Sequence, residues 1–277
     1  MRVADRLKGR MQVLALTSSA NRVAELRSRG IRPLVGNLDA PTSLRRLAGL
    51  AHRVLHLAPP LRDGWVDSRT RALCVALRRR NMPLALVYGS TSGVYGDCAG
   101  ALVNESRTPK ADTPRARRRL DAERAVRFLG RSAGVRSSIL RIPGIYAGDR
   151  AGGTPRARLE KRTPVLRAAE DVYTNHIHAD DLARACVAAL WRGRAQRVYN
   201  VNDDTRLKMG DYFDLAADLY GLPRPPRIAR GTAHTELPLM LLSFMAESRR
   251  LDNQRMKREL RLVLRHPTVA SGLRAGL

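Results

Sequence analysis

Short apolar runs alternate with amphipathic stretches through the first half of this chain, and that rhythm limits the fold more than any single residue does. An apolar run bounded by turn residues makes a buried strand. The amphipathic stretch after it makes a helix that returns the chain to begin the next strand in parallel. Repeated, the pattern gives one parallel sheet with helices on both faces. The expected strands are residues 12–16 (QVLAL), 32–35, 53–57 (RVLHL), 84–88 (LALVY) and 137–141 (SSILR). Helices are expected over 21–29, closed by Gly30, and over 42–50, from Pro41 or Thr42. Two more should run from an Asp67 or Ser68 cap to about Arg80, and from a Thr113 cap, with Pro114 in the first helical position, to about Gly130.

Beyond Pro143 the alternation loosens. A helix opens at Asp180 or Asp181, residues 197–201 read as a short strand, 210–220 as a helix, and 236–264 as mostly helical. The expected fold class is α/β, a Rossmann-like doubly wound parallel sheet with a small, mostly helical C-terminal lobe.

Composition removes several alternatives. With 277 residues the chain can bury a sizeable core. Cys74, Cys98 and Cys186 lie far apart, which argues against a disulfide framework or a structural zinc site and suits a reducing compartment, so a cytoplasmic location is expected. Residues 1–20 imitate a secretory leader, yet the apolar core 11–16 is shorter than the roughly 7–15 residues such a leader needs. The stretch 237–246 is about half a membrane span, so no membrane segment or membrane partner is expected. The net charge of +26 is nearly all arginine, but the arginines run along the whole chain and aromatics are only 4%. A nucleic-acid footprint should be a patch or stripe with stacking aromatics, so no specific nucleic-acid partner is expected. The densest runs, Arg78-Arg79-Arg80 and Arg117-Arg118-Arg119, read as solvated helix faces that bind polyanions non-specifically at low salt.

The most informative stretch is Tyr88-Gly89-Ser90-Thr91-Ser92-Gly93-Val94-Tyr95-Gly96-Asp97. A buried strand there runs into hydroxyl residues and a tight turn, which places hydroxyls at the carboxyl end of a parallel strand, where open α/β sheets bind ligands. Taken alone, a plain polar turn explains it equally well. Two further segments follow in order: Leu140-Arg141-Ile142-Pro143-Gly144-Ile145-Tyr146, and Asn175-His176-Ile177-His178-Ala179-Asp180-Asp181-Leu182-Ala183. In this order and spacing the chain resembles the NAD-dependent epimerase/dehydratase family, the extended short-chain dehydrogenases, and within it an atypical subgroup of NAD(P)-dependent oxidoreductases. The resemblance continues through Tyr199-Asn200-Val201-Asn202-Asp203.

The resemblance implies an NAD(P)-dependent oxidoreductase or epimerase acting on a small-molecule substrate. It assigns Thr91 to the substrate oxygen, with Ser92 and Tyr95 beside the substrate. The family's Tyr-x-x-x-Lys pair falls on Arg115 and Arg119, counted back from Ala122-Glu123. The tyrosine ordinarily moves a proton while hydride moves. Arginine, with a pKa above about 12, cannot do so, although two guanidiniums one helical turn apart could clamp a phosphate or carboxylate. A second departure lies at the start, where no glycine-rich phosphate turn occurs. Residues 1–7 resemble the helix after that turn, and residues 11–16 resemble the family's second strand. Either the chain begins late, at an internal methionine, or this form is impaired in cofactor binding, and the late start is the expectation. An upstream reading frame without the strand and turn would refute it.

Cofactor contacts implied by the resemblance are Thr17, Ser18 and Arg22 after the second strand, Asn37 and Leu38 after the third, Ala58 and Pro59 after the fourth, and Pro143, Gly144 and Ile145 near the nicotinamide. Hydroxyls with an arginine, and no acid for the ribose diol, favour NADP over NAD. The chain is read as one compact unit, residues 1–277, with a nucleotide-binding core at 1–150, a smaller substrate lobe at 151–277, and 172–205 returning to the core. His176 and His178 have no third ligand at a recognisable spacing, so no metal is expected, and Asp180 and Asp181 read as cap and dipole partners. By analogy with the family a homodimer is expected. The alternatives are a non-catalytic dinucleotide-binding or redox-sensing protein and, further off, a polyanion- or nucleic-acid-binding protein.

Overall fold

Ala85, Leu86, Val87 and Tyr88, the most continuous apolar run, are fully buried and form the centre of a parallel sheet. The computed structural model describes residues 1–276, apart from the side chain of Met240. In the first half the chain runs α1 (Arg2–Leu7), β1 (Leu14–Thr17), α2 (Arg22–Ser28), β2 (Arg32–Val35), a 3-10 turn (Pro41–Leu47), β3 (Arg53–His56), α3 (Ser68–Leu77), β4 (Ala85–Thr91), a second 3-10 turn (Ser92–Tyr95), β5 (Leu102–Val103), α4 (Pro114–Ala133) and β6 (Arg136–Ile142). It continues with β7 (Gly144–Tyr146), α5 (Arg156–Glu160), β8 (Val165–Leu166), β9 (His176–His178), α6 (Ala179–Arg192), β10 (Arg197–Asn200) and α7 (Met209–Tyr220). The last elements are β11 (Arg227–Ile228), α8 (Arg230–Glu236), α9 (Leu239–Met245), β12 (Arg250–Leu251), α10 (Gln254–Glu259) and α11 (Val269–Arg274).

Strands β10-β6-β4-β3 form one parallel sheet in that order, while β1 and β2 pair in parallel as a separate two-stranded sheet. Among the described residues no strand pairing joins these two sheets. Period-two alternation decides what packs where. Leu86 and Tyr88 face one side, with Leu73 and Leu77 of α3 and Ala122, Val126 and Leu129 of α4. Val87 faces the other, with Ala185, Cys186, Ala189 and Leu190 of α6. Helices on both faces make the sheet doubly wound. A third cluster, around Leu159, Leu166, Tyr212 and Phe213, forms the core beneath α5 and α7.

Local chemistry sets the helix ends. Asp67 caps α3 by accepting the Thr70 N–H at 3.0 Å, and Thr113 caps α4 by accepting the Ala116 N–H at 3.2 Å, with Pro114 following. Three expectations need correction. Residues 42–50 form a 3-10 turn rather than an α-helix, ending before Gly49, whose φ is +74°. The cap of α6 is His178, whose Nδ1 accepts the Asp180 N–H at 3.3 Å, and neither Asp180 nor Asp181 serves as the cap. Asp181 is buried and instead accepts the backbone N–H groups of Arg265 and His266, at 3.0 and 2.8 Å. Finally, residues 236–264 are not one helical stretch. Arg250-Leu251 leaves the helical course to pair in parallel with β5. Asn175, Asn200 and Asn202 hold it there through the Arg249, Asp252 and Leu251 carbonyls, at 2.9, 3.1 and 3.1 Å.

Candidate functional site

Strand β4 continues three residues past the expected Tyr88 and carries Gly89, Ser90 and Thr91 to its carboxyl end. Gly89 packs closely there, since a Cβ would stand 2.7 Å from the end of the Leu57 side chain. Gly96 closes the following turn at φ +66°, where a Cβ would meet the Lys110 carbonyl at 2.3 Å. Thr91 is half-buried and its hydroxyl accepts the Gly93 N–H at 3.3 Å, leaving its own proton free to donate. The two neighbouring hydroxyl residues are buried. Ser90 donates to Glu123 Oε1 at 2.6 Å, and Ser92 is 5% exposed within the 3-10 turn.

Beneath Thr91 lies a buried ion pair. Arg141 of β6 makes a bidentate contact with Glu123 of α4, Nε to Oε1 at 3.1 Å and Nη2 to Oε2 at 2.8 Å. Burial opposes the charge on Arg141, but Glu123 overrides it and keeps the guanidinium firmly protonated. The same guanidinium lies 4.6 Å from the Tyr95 ring centroid. Tyr95, expected beside the substrate, is 1% exposed and donates its hydroxyl to Asn200 Oδ1 at 2.7 Å. Burial pushes its phenol up from the ordinary value. Tyr95 therefore braces β4 against β10 instead of lining a pocket. The residues that motif reading missed here are Glu123, Arg141 and Asn200. Their only signal was a strand residue of the wrong polarity in Leu140-Arg141-Ile142, since the Ala122-Glu123 pair otherwise served as a ruler.

The two arginines at the implied Tyr and Lys positions part company. Arg119 is half-buried, and its Nη1 donates to the Gly89 carbonyl at 2.9 Å and to the Tyr88 hydroxyl at 3.1 Å, with the Ala58 carbonyl at 3.5 Å. It thus ties the ends of β3 and β4 together. Arg115 is exposed and stacks over Phe244 of α9, 5.1 Å from the ring centroid. The Arg117-Arg118-Arg119 run is not a uniformly solvated face: Arg118 is 7% exposed and donates to the Gly64 carbonyl at 2.7 Å.

The implied cofactor residues gather at the carboxyl ends of the parallel strands. Thr17 is the buried last residue of β1, so this implied contact is turned away from solvent, whereas Ser18 follows the strand and Arg22 opens α2 beside Glu25, 3.4 Å away. The Asn37–Leu38 turn follows β2, with Asn37 Oδ1 accepting the Asp39 N–H at 3.0 Å. Ala58 and Pro59 follow β3. Arg69, a residue sequence reading left out, bridges these last two turns by pairing with Asp39 at 2.6 Å and donating to the Pro59 carbonyl at 3.0 Å. That pairing holds the Asp39 carboxyl below the usual range. Pro143, Gly144 and Ile145 leave β6 for β7, which pairs in parallel with β9. Gly144 is exposed, and a Cβ there would sit 3.4 Å from the Asn175 carbonyl. Among the described residues no glycine-rich turn follows β1, β2 or β3.

Histidine packing is the other titratable feature. His176 is buried, stacked 4.2 Å from the Tyr212 ring, and burial pushes its pKa down to about 4. His178, Asp180 and His266 bring one potential metal ligand each within 4.8 Å of one another. Asp180 already accepts from Arg2 Nε at 2.7 Å, with Arg6 3.9 Å away, and these fixed cations oppose a metal ion. A groove of about 500 Å³ lies outside α3 and α4, lined by Val75, Arg78, Ala125 and Phe128, and does not include Thr91.

Parallel strands delivering turns to one edge, with a free hydroxyl on the central strand, define the class of doubly wound nucleotide-fold proteins. The sequence model of the NAD dependent epimerase/dehydratase family matches residues 2–202, and the chain belongs to that family. Among solved structures, a functionally unknown conserved protein from Silicibacter pomeroyi is 27% identical, with a TM-score of 0.78 over 99% of this chain and 93% of that one. RMD from Pseudomonas aeruginosa, complexed with NADPH, is 19% identical, with a TM-score of 0.71 over 96% and 98% of the two chains. A UDP-glucuronic acid 4-epimerase from Bacillus cereus, in complex with NAD, is 18% identical, with a TM-score of 0.74 over 99% and 92%. No curated protein matches the sequence. Among the described residues no helix is long and apolar enough to cross a membrane.

Proposed function

We propose that the chain is a cytoplasmic, nicotinamide-dinucleotide-dependent oxidoreductase or epimerase-like protein that acts on a small-molecule substrate without a tyrosine–lysine pair. The observation that carries this reading is the half-buried Thr91 hydroxyl, with its proton free, at the carboxyl end of the central strand. Residues 1–150 supply the nucleotide core and 151–277 the substrate lobe, with 172–205 returning to the core.

The donor set suits the two nucleoside ends of the cofactor. Ser18, Arg22 and Asn37 are exposed at the ends of β1 and β2, and Ser18 with Arg22 suits a 2′-phosphate, hence NADP, better than a ribose diol. Ala58, Pro59, Pro143, Gly144 and Ile145 would flank the other end. No described residue is assigned to the diphosphate. When bound, the dinucleotide supplies hydride acceptance or donation. Thr91 donates a hydrogen bond to the substrate oxygen and orients it. Arg119, anchored on the Gly89 carbonyl, stabilises negative charge developing nearby but takes no proton, so the proton passes to water.

The second reading is a non-catalytic dinucleotide sensor, favoured by the engagement of Arg119 with carbonyls and of Arg115 with Phe244. Thermal shift against NADP and NAD tests both readings, because a ligand that binds only the native state raises its melting temperature. Absence of a shift with either nucleotide refutes both. Turnover lost in Thr91→Ala with the shift retained selects the enzyme. We further propose a homodimer across α3 and α4, where Val75 and Phe128 are 57% and 58% exposed.

A further inference from the structure

Arginines that are scattered in sequence converge on one face of the fold. In a parallel doubly wound sheet every strand begins, and every covering helix ends, at the same edge, opposite the ligand end. Here β2, β3, β6 and β10 each begin with an arginine: Arg32, Arg53, Arg136 and Arg197. The exposed Arg78-Arg79-Arg80 follows α3, Arg131 lies in the last turn of α4, and Arg192 ends α6. Contacts show that these segments adjoin. The Leu84 N–H donates to the His52 carbonyl at 2.8 Å, and the Arg136 N–H to the Leu84 carbonyl at 3.2 Å. Arg53 and Arg136 both donate to the Leu190 carbonyl, at 3.2 and 3.0 Å. Arg78 reaches Ser132 at 3.0 Å. Residues 45–53, 78–85, 131–138 and 190–197 contain no Asp or Glu. Glu259 reaches this edge from α10, where it pairs with Arg194 and Arg197.

Cations at helix C-termini complement the helix dipole, which accounts for some of these side chains taken singly. It does not account for the aliphatic groups set among them. Leu50, Met82 and Leu84 are 46%, 43% and 59% exposed on the same edge, and Trp191 is 36% exposed beneath Arg53. Aliphatic groups cannot stack on bases, whereas protruding aliphatics ringed by arginines match an anionic lipid surface, with charge on the headgroups and methylenes in the acyl boundary. We infer that the strand-start edge is a peripheral docking face for anionic phospholipid. It lies opposite the Thr91 end and does not depend on the reading of that site.

The test is flotation of the full chain with vesicles of phosphatidylglycerol and phosphatidylcholine in equal parts, against phosphatidylcholine alone. The fluorescence of Trp191 is followed in a Trp65→Phe background, where it is the single tryptophan. Binding to the anionic vesicles alone is expected, weakening as salt rises, with a blue shift of Trp191. Arg79→Gln/Arg80→Gln should weaken binding about 25-fold, at roughly fivefold per arginine, with an unchanged melting temperature. Met82→Ser/Leu84→Ser should lose the blue shift. Arg156→Gln/Arg162→Gln, remote from this edge, should change neither. No binding at low salt, equal loss in the remote variant, or tighter binding to duplex DNA than to the vesicles at the same salt would each overturn the inference.

Discussion

Replacing Glu123 with alanine removes the carboxylate paired with a guanidinium that is almost wholly out of water. The Arg141 and Glu123 side chains are 2% and 1% exposed, and Arg141 Nη1 already lacks a partner. Glu123→Ala orphans Nε and Nη2 as well, together with the Ser90 hydroxyl. Breaking a buried pair from one side costs about 3–5 kcal/mol, because the remaining charge stays desolvated. At about 2–4 °C per kcal/mol for a chain near this size, the melting temperature should fall by roughly 6–20 °C. Scanning calorimetry reads it directly. Glu123→Leu with Arg141→Met removes both charges and should recover most of the loss, since an apolar pair of similar volume is often neutral. A drop of less than about 2 °C in Glu123→Ala would refute the account. Ser90 adjoins Thr91, so the single variant should also disturb the site.

Burial raises the Asp203 carboxyl to about 7, against the pull of the Thr205 N–H, with Asp204 and Asp181 adding to the rise. The unfolded chain then ionises first, so Asp203's own contribution to stability should fall as pH rises from about 4 to about 7 and level off above that, while the buried His176 acts in the opposite sense over the same interval. Asp203→Asn should remove that contribution, read as a more positive slope of stability against pH than the parent's in urea titrations, and an unchanged slope would count against the burial. Arg119→Met should cost about 2 kcal/mol through the lost contacts to Gly89 and Tyr88 and abolish the nucleotide-induced thermal shift; a full shift would remove Arg119 from the site. Val75→Glu/Phe128→Glu puts unpaired charge on the α3–α4 face and should convert a dimer to a monomer in light scattering, while a species unchanged from the parent would discard that interface.

Sequence periodicity was enough to place the main strands within three residues, and for β4 the reason is that burial on both faces leaves a continuous apolar run. The Asp67 and Thr113 caps were legible for a similar reason: they are local chemistry. Ordered motifs around Thr91, Gly144 and Asp180 led to the family, since their spacing reflects strands and turns that must recur together. What a side chain does at its position depended on partners far along the chain. Tyr95 looked like a substrate contact until Asn200, 105 residues on, took its hydroxyl, and Arg119 looked like a solvated cation until the Gly89 carbonyl came within reach. Arg141 was only one residue of an ordered motif before the fold brought Glu123 against it. A subset of the arginines, scattered along the sequence, meets at the strand-start edge only because parallel winding brings strand starts and helix ends together. Periodicity is a property of near neighbours and survives in the sequence. Pairing and charge segregation arise from contacts between distant segments, and those exist only once the chain is folded.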